Sequence, residues 1–264
     1  MKFIRLTLYF AFAAILLVSC KKEADSPLQL QFDDSNTAKL KVVYTSAYFI
    51  RDSIQIKIND ARASNTFLSS LATTFLPTPY PGGGLNTGGS GSPWYLSVPP
   101  GNTKIFISVP KKVTSVDSII RYSGNIVLEA GKYYSAYITD TLLNTATVLV
   151  TDNHDLPAIG TSRYKFINLI PNLAGVDLYY KNNLVMANIA YKGVSPEFTL
   201  ITGTSGVWAI RAAGAAPTST PLAIYPSGSL TNTIPSRRVL TVFAKGYSGG
   251  SASRIPVVSL LYNK

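Results

Sequence analysis

Four segments in the first half of this 264-residue chain recur, in the same order, in the second half. LKVVY at 40–44 aligns with YKFIN at 164–168, and IQIKIND at 54–60 with VDLYYKN at 176–182. VPPGNTKIFI at 98–107 aligns with LITGTSGVWA at 200–209, which sets Gly101 opposite Gly203. AGKYYSAYITD at 130–140 aligns with SRRVLTVFAKG at 236–246. Order is kept and spacing differs only in the loops, the mark of a tandem duplication. A duplicated unit must fold twice from one pattern, and here the pattern is strand. Thr, Val, Ile, Tyr and Phe are abundant, turn residues recur at short intervals, and no stretch keeps a helical period for three turns. SIQIKIN (53–59) and KIFISV (104–109) alternate apolar with polar, and VLTVFAKG (239–246) is a mostly apolar run closed by glycine. Such strands belong to half-buried or fully buried sheets of a sandwich. The chain is therefore expected to be all-β: two tandem antiparallel β-sandwich domains, 38–150 and 161–264, joined by a polar linker at 151–160. Each half holds the full strand set and is expected to fold by itself.

The second copy resembles a bacterial domain of unknown function, number forty-three ninety-seven. The resemblance lies in RYKFINLIPNLAGVDLYYKNNLV (163–185), IAYKGVS (189–195), the F-x-L-I-x-G turn ending at Gly203, and VLTVFAKG. It covers residues 160–250. The first copy diverges: it has Ile54-Gln55 where the second has Val176-Asp177, and it carries a long insertion. The resemblance implies an immunoglobulin-like or transthyretin-like sandwich outside the cytoplasm, often doubled in lipoproteins. It brings no catalytic residues with it.

The one cysteine, Cys20, sits in AILLVSCKKEADSP (14–27). Before it, Lys2 and Arg5 give a basic start and Leu6–Val18 is almost wholly apolar, too short for a membrane span and of the length of a secretory signal. Leu17-Val18-Ser19 followed by Cys20 resembles the bacterial lipobox. That resemblance implies removal of residues 1–19 and lipidation of Cys20, with more than one acyl chain giving a stable anchor. Residues 20–37 then form a tether from the lipidated cysteine. Lys21 stands where the inner-membrane retention signal has Asp, which favours the outer membrane, on its periplasmic or extracellular face. A mature chain from Cys20 keeps no second thiol, so stability rests on core burial rather than on disulfides.

Chemistry-bearing motifs are few. GYSGG (246–250) matches the Gly-x-Ser-x-Gly pattern around Ser248, yet Pro256 and a β-rich run follow it and no Asp, Glu or His occurs after Glu197. His154, the one histidine, lies between Asp152 and Asp155, and a single imidazole without thiolates cannot complete a typical zinc set. A solvated linker is expected there, with no metal and no cofactor. Asp177 has Gln55 as its counterpart, so a mechanism shared by both copies cannot need a carboxylate at that position. A glycosidase needs paired acids held about 5–10 Å apart. The two domains offer seven acids, five and two, none recurring at aligned positions.

PYPGGGLNTGGSGSPW (79–94) is glycine-dense but lacks the Lys-Ser/Thr ending of a phosphate loop. It is either a plain excursion of the first domain or a contact loop presenting Tyr80 and Trp94. Without residues 1–19 the chain carries 22 basic and 13 acidic residues, a net +9. The second domain, with 10 basic and 2 acidic residues, carries +8 and the first +5, offset by the acidic tether and linker, and Arg237-Arg238 is the second domain's one adjacent basic pair. The field suits an anionic glycan, a protein partner or lipid head groups, while no basic helix or aromatic RNA motif points to nucleic acid. These observations lead to a non-enzymatic, lipid-anchored envelope protein: a surface binding or adhesion module for glycan or protein, or alternatively a structural subunit of an envelope complex. A glycoside-processing enzyme is the reading they disfavour most.

Overall fold

The computed structural model describes residues 34–48, 54–63, 66–68, 75–77, 95–111, 116–228, 230–251 and 254–264. Among them there is no α-helix, and twenty strands carry the fold. The first half contributes β1 (Ala38–Tyr44), β2 (Gln55–Ile58), β3 (Ala61–Arg62), β4 (Thr66–Leu68), β5 (Phe75–Pro77), β6 (Leu96–Val98), β7 (Gly101–Pro110), β8 (Asp117–Leu128), β9 (Tyr133–Thr139) and β10 (Ala146–Asp152). The second contributes β11 (Thr161–Leu169), β12 (Gly175–Tyr180), β13 (Asn183–Ala190), β14 (Phe198–Ile201), β15 (Ser205–Gly206), β16 (Trp208–Ala212), β17 (Ala223–Tyr225), β18 (Asn232–Thr233), β19 (Val239–Lys245) and β20 (Val257–Tyr262).

Each half is a sandwich of two four-stranded sheets. In the first, the sheet orders are β10-β9-β1-β6 and β3-β2-β7-β8; in the second, β20-β19-β11-β14 and β13-β12-β16-β17. The two sets correspond strand for strand, so the duplication seen in the sequence is a duplication of topology. The β4–β5 hairpin belongs to the insertion of the first copy, and the β15–β18 pair closes one end of the second. The sheets are not wholly antiparallel. The opening strand of each copy runs parallel to the penultimate one, Leu40 beside Tyr134 and Tyr164 beside Leu240. A long connection crossing from one sheet to the other permits this pairing, which a two-residue hairpin would forbid.

Local chemistry places the turns. Asn59-Asp60 and Lys181-Asn182 occupy the same two-residue turn, and all four have positive φ, as tight hairpins of this twist demand. Register corrects one aligned pair. Ile56 faces Ile107 and Leu178 faces Ile210, so Ile107 corresponds to Ile210 rather than Ala209. The second copy takes up one extra residue after Gly203. Without that shift Trp208 would point out of the core, because a one-residue slip flips every side chain.

Each sandwich has its own core. The first is built on Leu40, Val42, Ile56, Ile105, Ile107 and Ile138; the second on Tyr164, Phe166, Leu178, Trp208, Ile210 and Val242. A third apolar cluster joins them: Val43, Tyr137, Val148 and Val150 from one half, Ile167, Leu169, Phe243 and Leu261 from the other. The two contacting sheets are the corresponding ones, and their contacts are reciprocal. Lys41 Nζ donates to the Tyr262 carbonyl at 2.6 Å, and its counterpart Lys165 donates to the Thr151 carbonyl at 3.0 Å. The counterparts Tyr137 and Phe243 meet ring to ring at 5.8 Å. Asp152 and its counterpart Asn263 bond to each other at 3.2 Å. The halves thus pack as an internal pseudo-dimer about an approximate two-fold axis.

Candidate functional site

A groove of about 520 Å³ opens in the second sandwich, between β13 and β14. These are the edge strands of its two sheets. Tyr180, Leu184 and Val185 line one wall and Phe198, Leu200 and Ile201 the other. Alternation along β14 explains the chemistry. Phe198 and Leu200 turn inward onto the core but stay half-buried because no described residue closes over them, whereas Ile201 is 72% exposed on the rim.

The floor is stiff. Trp208 is fully buried, with Tyr180 at 4.6 Å and Tyr164 at 5.2 Å between ring centres. Its indole N–H donates to Asn232 Oδ1 at 3.2 Å. The Tyr180 hydroxyl lies 2.9 Å from the carbonyls of both Thr204 and Asn232. Lys181 stands at the mouth, its alkyl stem crossing Gly206, where a Cβ would collide with it. On the corresponding side of the first sandwich the edges are β3 and β6, and the chain between them is the long insertion.

A second cluster lies between the sandwiches. Lys41 is fully buried, and its ammonium sits 4.3 Å from the Tyr95 ring centre. Burial lowers its pKa to about 8, against the opposing pull of Asp152. The Asp152 carboxylate accepts from Ser135 Oγ at 2.6 Å and from the Tyr95 hydroxyl at 2.9 Å, and burial holds its pKa above the usual carboxylate range. His154 stacks on Tyr133 with ring centres 3.6 Å apart, and its pKa is pushed down to about 4 by burial and then by Lys264 and Lys41. The sequence puts Asp152 and His154 in a solvated linker. Instead Thr151 and Asp152 end β10, and His154 is half-buried against the interface. Linker composition is polar, but the partner that covers it comes from the other half of the chain.

Cys20, Leu17, Val18, Ser19, Tyr80 and Trp94 lie outside the described residues. Arg237 and Arg238 lie exposed in the turn before β19 and are not among the residues that line the groove. Arg237 has φ of +51° at the position where the first copy has Gly131 at +72°, and both backbone N–H groups make the same bond, to Thr161 O and Thr37 O. Asp177 is buried, accepting from the N–H groups of Asn188 at 2.6 Å and Gly214 at 2.9 Å, so its carboxylate organises turns. Ser248 lies in the β19–β20 loop, where Asn172 clamps its backbone at both N–H and carbonyl. The groove had a faint sequence signal: Phe198, Leu200 and Ile201 fall in the F-x-L-I-x-G turn, which reads as core strand and says nothing of an open side.

No family model matches the chain. No curated protein matches it. Among solved structures, it is similar to a leucine-rich repeat protein from Bacteroides thetaiotaomicron at 12% identity, with a TM-score of 0.18, covering 78% of this chain and 25% of that one. It therefore spans about a quarter of that protein's length. It is also similar to a protein from Bacteroides fragilis named "putative cell adhesion protein", at 7% identity and a TM-score of 0.20, covering 86% and 98% of the two chains. Scores this low transfer neither topology nor function.

Proposed function

We propose that this chain is a lipid-anchored protein of the outer membrane whose fused sandwiches form a non-enzymatic binding platform, and whose β13–β14 groove takes an extended segment of a protein partner. The groove carries the reading. Two strand edges that are unpaired among the described residues flank an apolar floor, so a partner strand would find main-chain donors and acceptors beside it and pockets for alternate side chains below. The stiff aromatic floor supports it too, because a preformed site spends little free energy on ordering. Asp177 and Asp152 are committed to backbone and interface bonds, which favours binding over acid–base chemistry. The lipobox resemblance of Leu17-Val18-Ser19-Cys20 and the resemblance of the second copy to an extracytoplasmic domain support the location.

The test places a photo-reactive side chain at Ile201, with Val127 as the control, and crosslinks on intact cells. A discrete adduct at Ile201 that is missing at Val127, and is lost with Leu200→Arg in a protein of unchanged melting temperature, is expected. Adducts insensitive to Leu200→Arg would remove the groove from the reading. Labelled fatty acid should enter the wild type and not Cys20→Ala; equal labelling would end the anchor.

A further inference from the structure

We infer that the end of the molecule where the tether enters is a membrane-docking surface that rests on anionic lipid head groups; this depends on the reading of Cys20 as the lipid-bearing residue. Both sandwiches present the same end there. β1 starts at it, with Gly131 N–H bonded to Thr37 O at 2.9 Å. The β10–β11 connection turns at it, and the bonds Thr161 N to Ala158 O, Thr202 N to Gly160 O and Arg237 N to Thr161 O tie that connection to the β14 turn and the basic pair.

Large apolar side chains stand out from this end, among them Leu156 at 43% exposure, Leu230 at 66%, Ile201 at 72% and Ile159 at 81%. Such residues beside cations are the composition of a surface that lies on a bilayer. Among the described residues, some cations of this end are held in ion pairs and others are not, exposed Arg62 of the first sandwich among the latter. On the first sandwich, Lys104 is paired with Asp60 at 2.9 Å and Lys132 with Glu129 at 2.6 Å. On the second, Lys181, Arg237 and Arg238 are exposed and have no ion pair among the described residues.

Geometry then decides what these groups meet. Fourteen residues, Lys21 to Asp34, separate Cys20 from Ser35. Even fully extended they reach at most about 50 Å. A lipid on Cys20 therefore keeps this end within one tether length of the bilayer at all times. Tethering raises the local concentration of head groups, so a patch too weak to bind alone can dock.

The test couples the chain from residue 20, through its single thiol, to a maleimide lipid in phosphatidylcholine vesicles with or without phosphatidylglycerol. Hydrogen exchange is followed along the sequence. Slower exchange at 156–160 and 230–238 on the anionic vesicles alone, relieved by salt, is expected. Arg237→Gly with Arg238→Gln should reduce the docked-to-free ratio about 30-fold, at about fivefold per cation. Arg237→Gly adopts the backbone of the corresponding Gly131, so this variant keeps the fold. Ile159→Ser should lower the ratio as well. Equal exchange on both vesicle types, protection centred elsewhere, or tight retention on an anionic polysaccharide without vesicle protection would each overturn the proposal. Coupling is chemical, so absence of fatty acid on Cys20 in cells would end the anchor reading without altering this measurement.

Discussion

Replacing Phe243 by Ala tests whether the two sandwiches are one cooperative body. Phe243 is 2% exposed and belongs to the third core, between the contacting sheets, with the Tyr137 ring 5.8 Å away. Truncating a buried Phe removes its transfer free energy and leaves a cavity, a loss of about 3–5 kcal/mol. Here the lower end is expected, about 3 kcal/mol, because the cavity opens between two sheets that can settle toward each other. At this chain length a loss of that size lowers the melting temperature by roughly 6–12 °C. Urea unfolding followed by tryptophan fluorescence and far-ultraviolet circular dichroism measures it. Wild type should show coincident transitions, since Val43, Ile167, Leu169 and Leu261 couple the halves through the same cluster. The variant, made in a Trp94→Phe background so that Trp208 alone reports the second sandwich, should lose stability and separate the two probes. A loss under about 1 kcal/mol, with coincident transitions unchanged, would refute the third core as a coupling element.

Three other outcomes follow from the same interface and turns. The His154 imidazole is held down to about 4, whereas in the unfolded chain it protonates near 6.5. The unfolded state therefore binds more protons between these values, and stability present above pH 6.5 falls toward pH 4, by roughly 2 kcal/mol after discounting for partial exposure. His154→Phe keeps the stack on Tyr133 and should flatten the fall in calorimetry; Asp152 acts oppositely in both proteins, and parallel pH profiles would exclude His154 as the cause. Arg237→Gly should raise stability by about 0.5–1 kcal/mol, the relief of a left-handed arginine less the entropy of glycine, and a lower melting temperature would contradict it. The second half alone, 161–264, should self-associate, because separation exposes Ile167, Leu169, Phe243 and Leu261; a monomer in sedimentation at all concentrations would count against the apolar interface.

Sequence by itself determined the strands, the duplication and the turns, because these follow from local rules. Period-two alternation fixes which side chains share a face, and the recurrence of Asn59-Asp60 as Lys181-Asn182 marks one hairpin in two places. Alternation does not say what a face meets. In β1, Leu40 and Val42 turn to the sandwich core, while Lys39, Lys41 and Val43 occupy the other face, which two lysines make look solvated; the structure buries all seven residues. The run of VLTVFAK in β19 is the one local sign that a strand is covered on both sides. Asp152 and His154 read as linker because their covering groups, Asn263, Lys264 and Tyr95, lie far away in sequence. The groove was beyond reach for the opposite reason: Phe198 and Leu200 carry the pattern of a covered strand, and only the docking of the two sheets leaves the space between β13 and β14 open. Side-chain pattern is encoded residue by residue; which surfaces find each other, and which stay unpaired, is settled by contacts between segments a hundred residues apart.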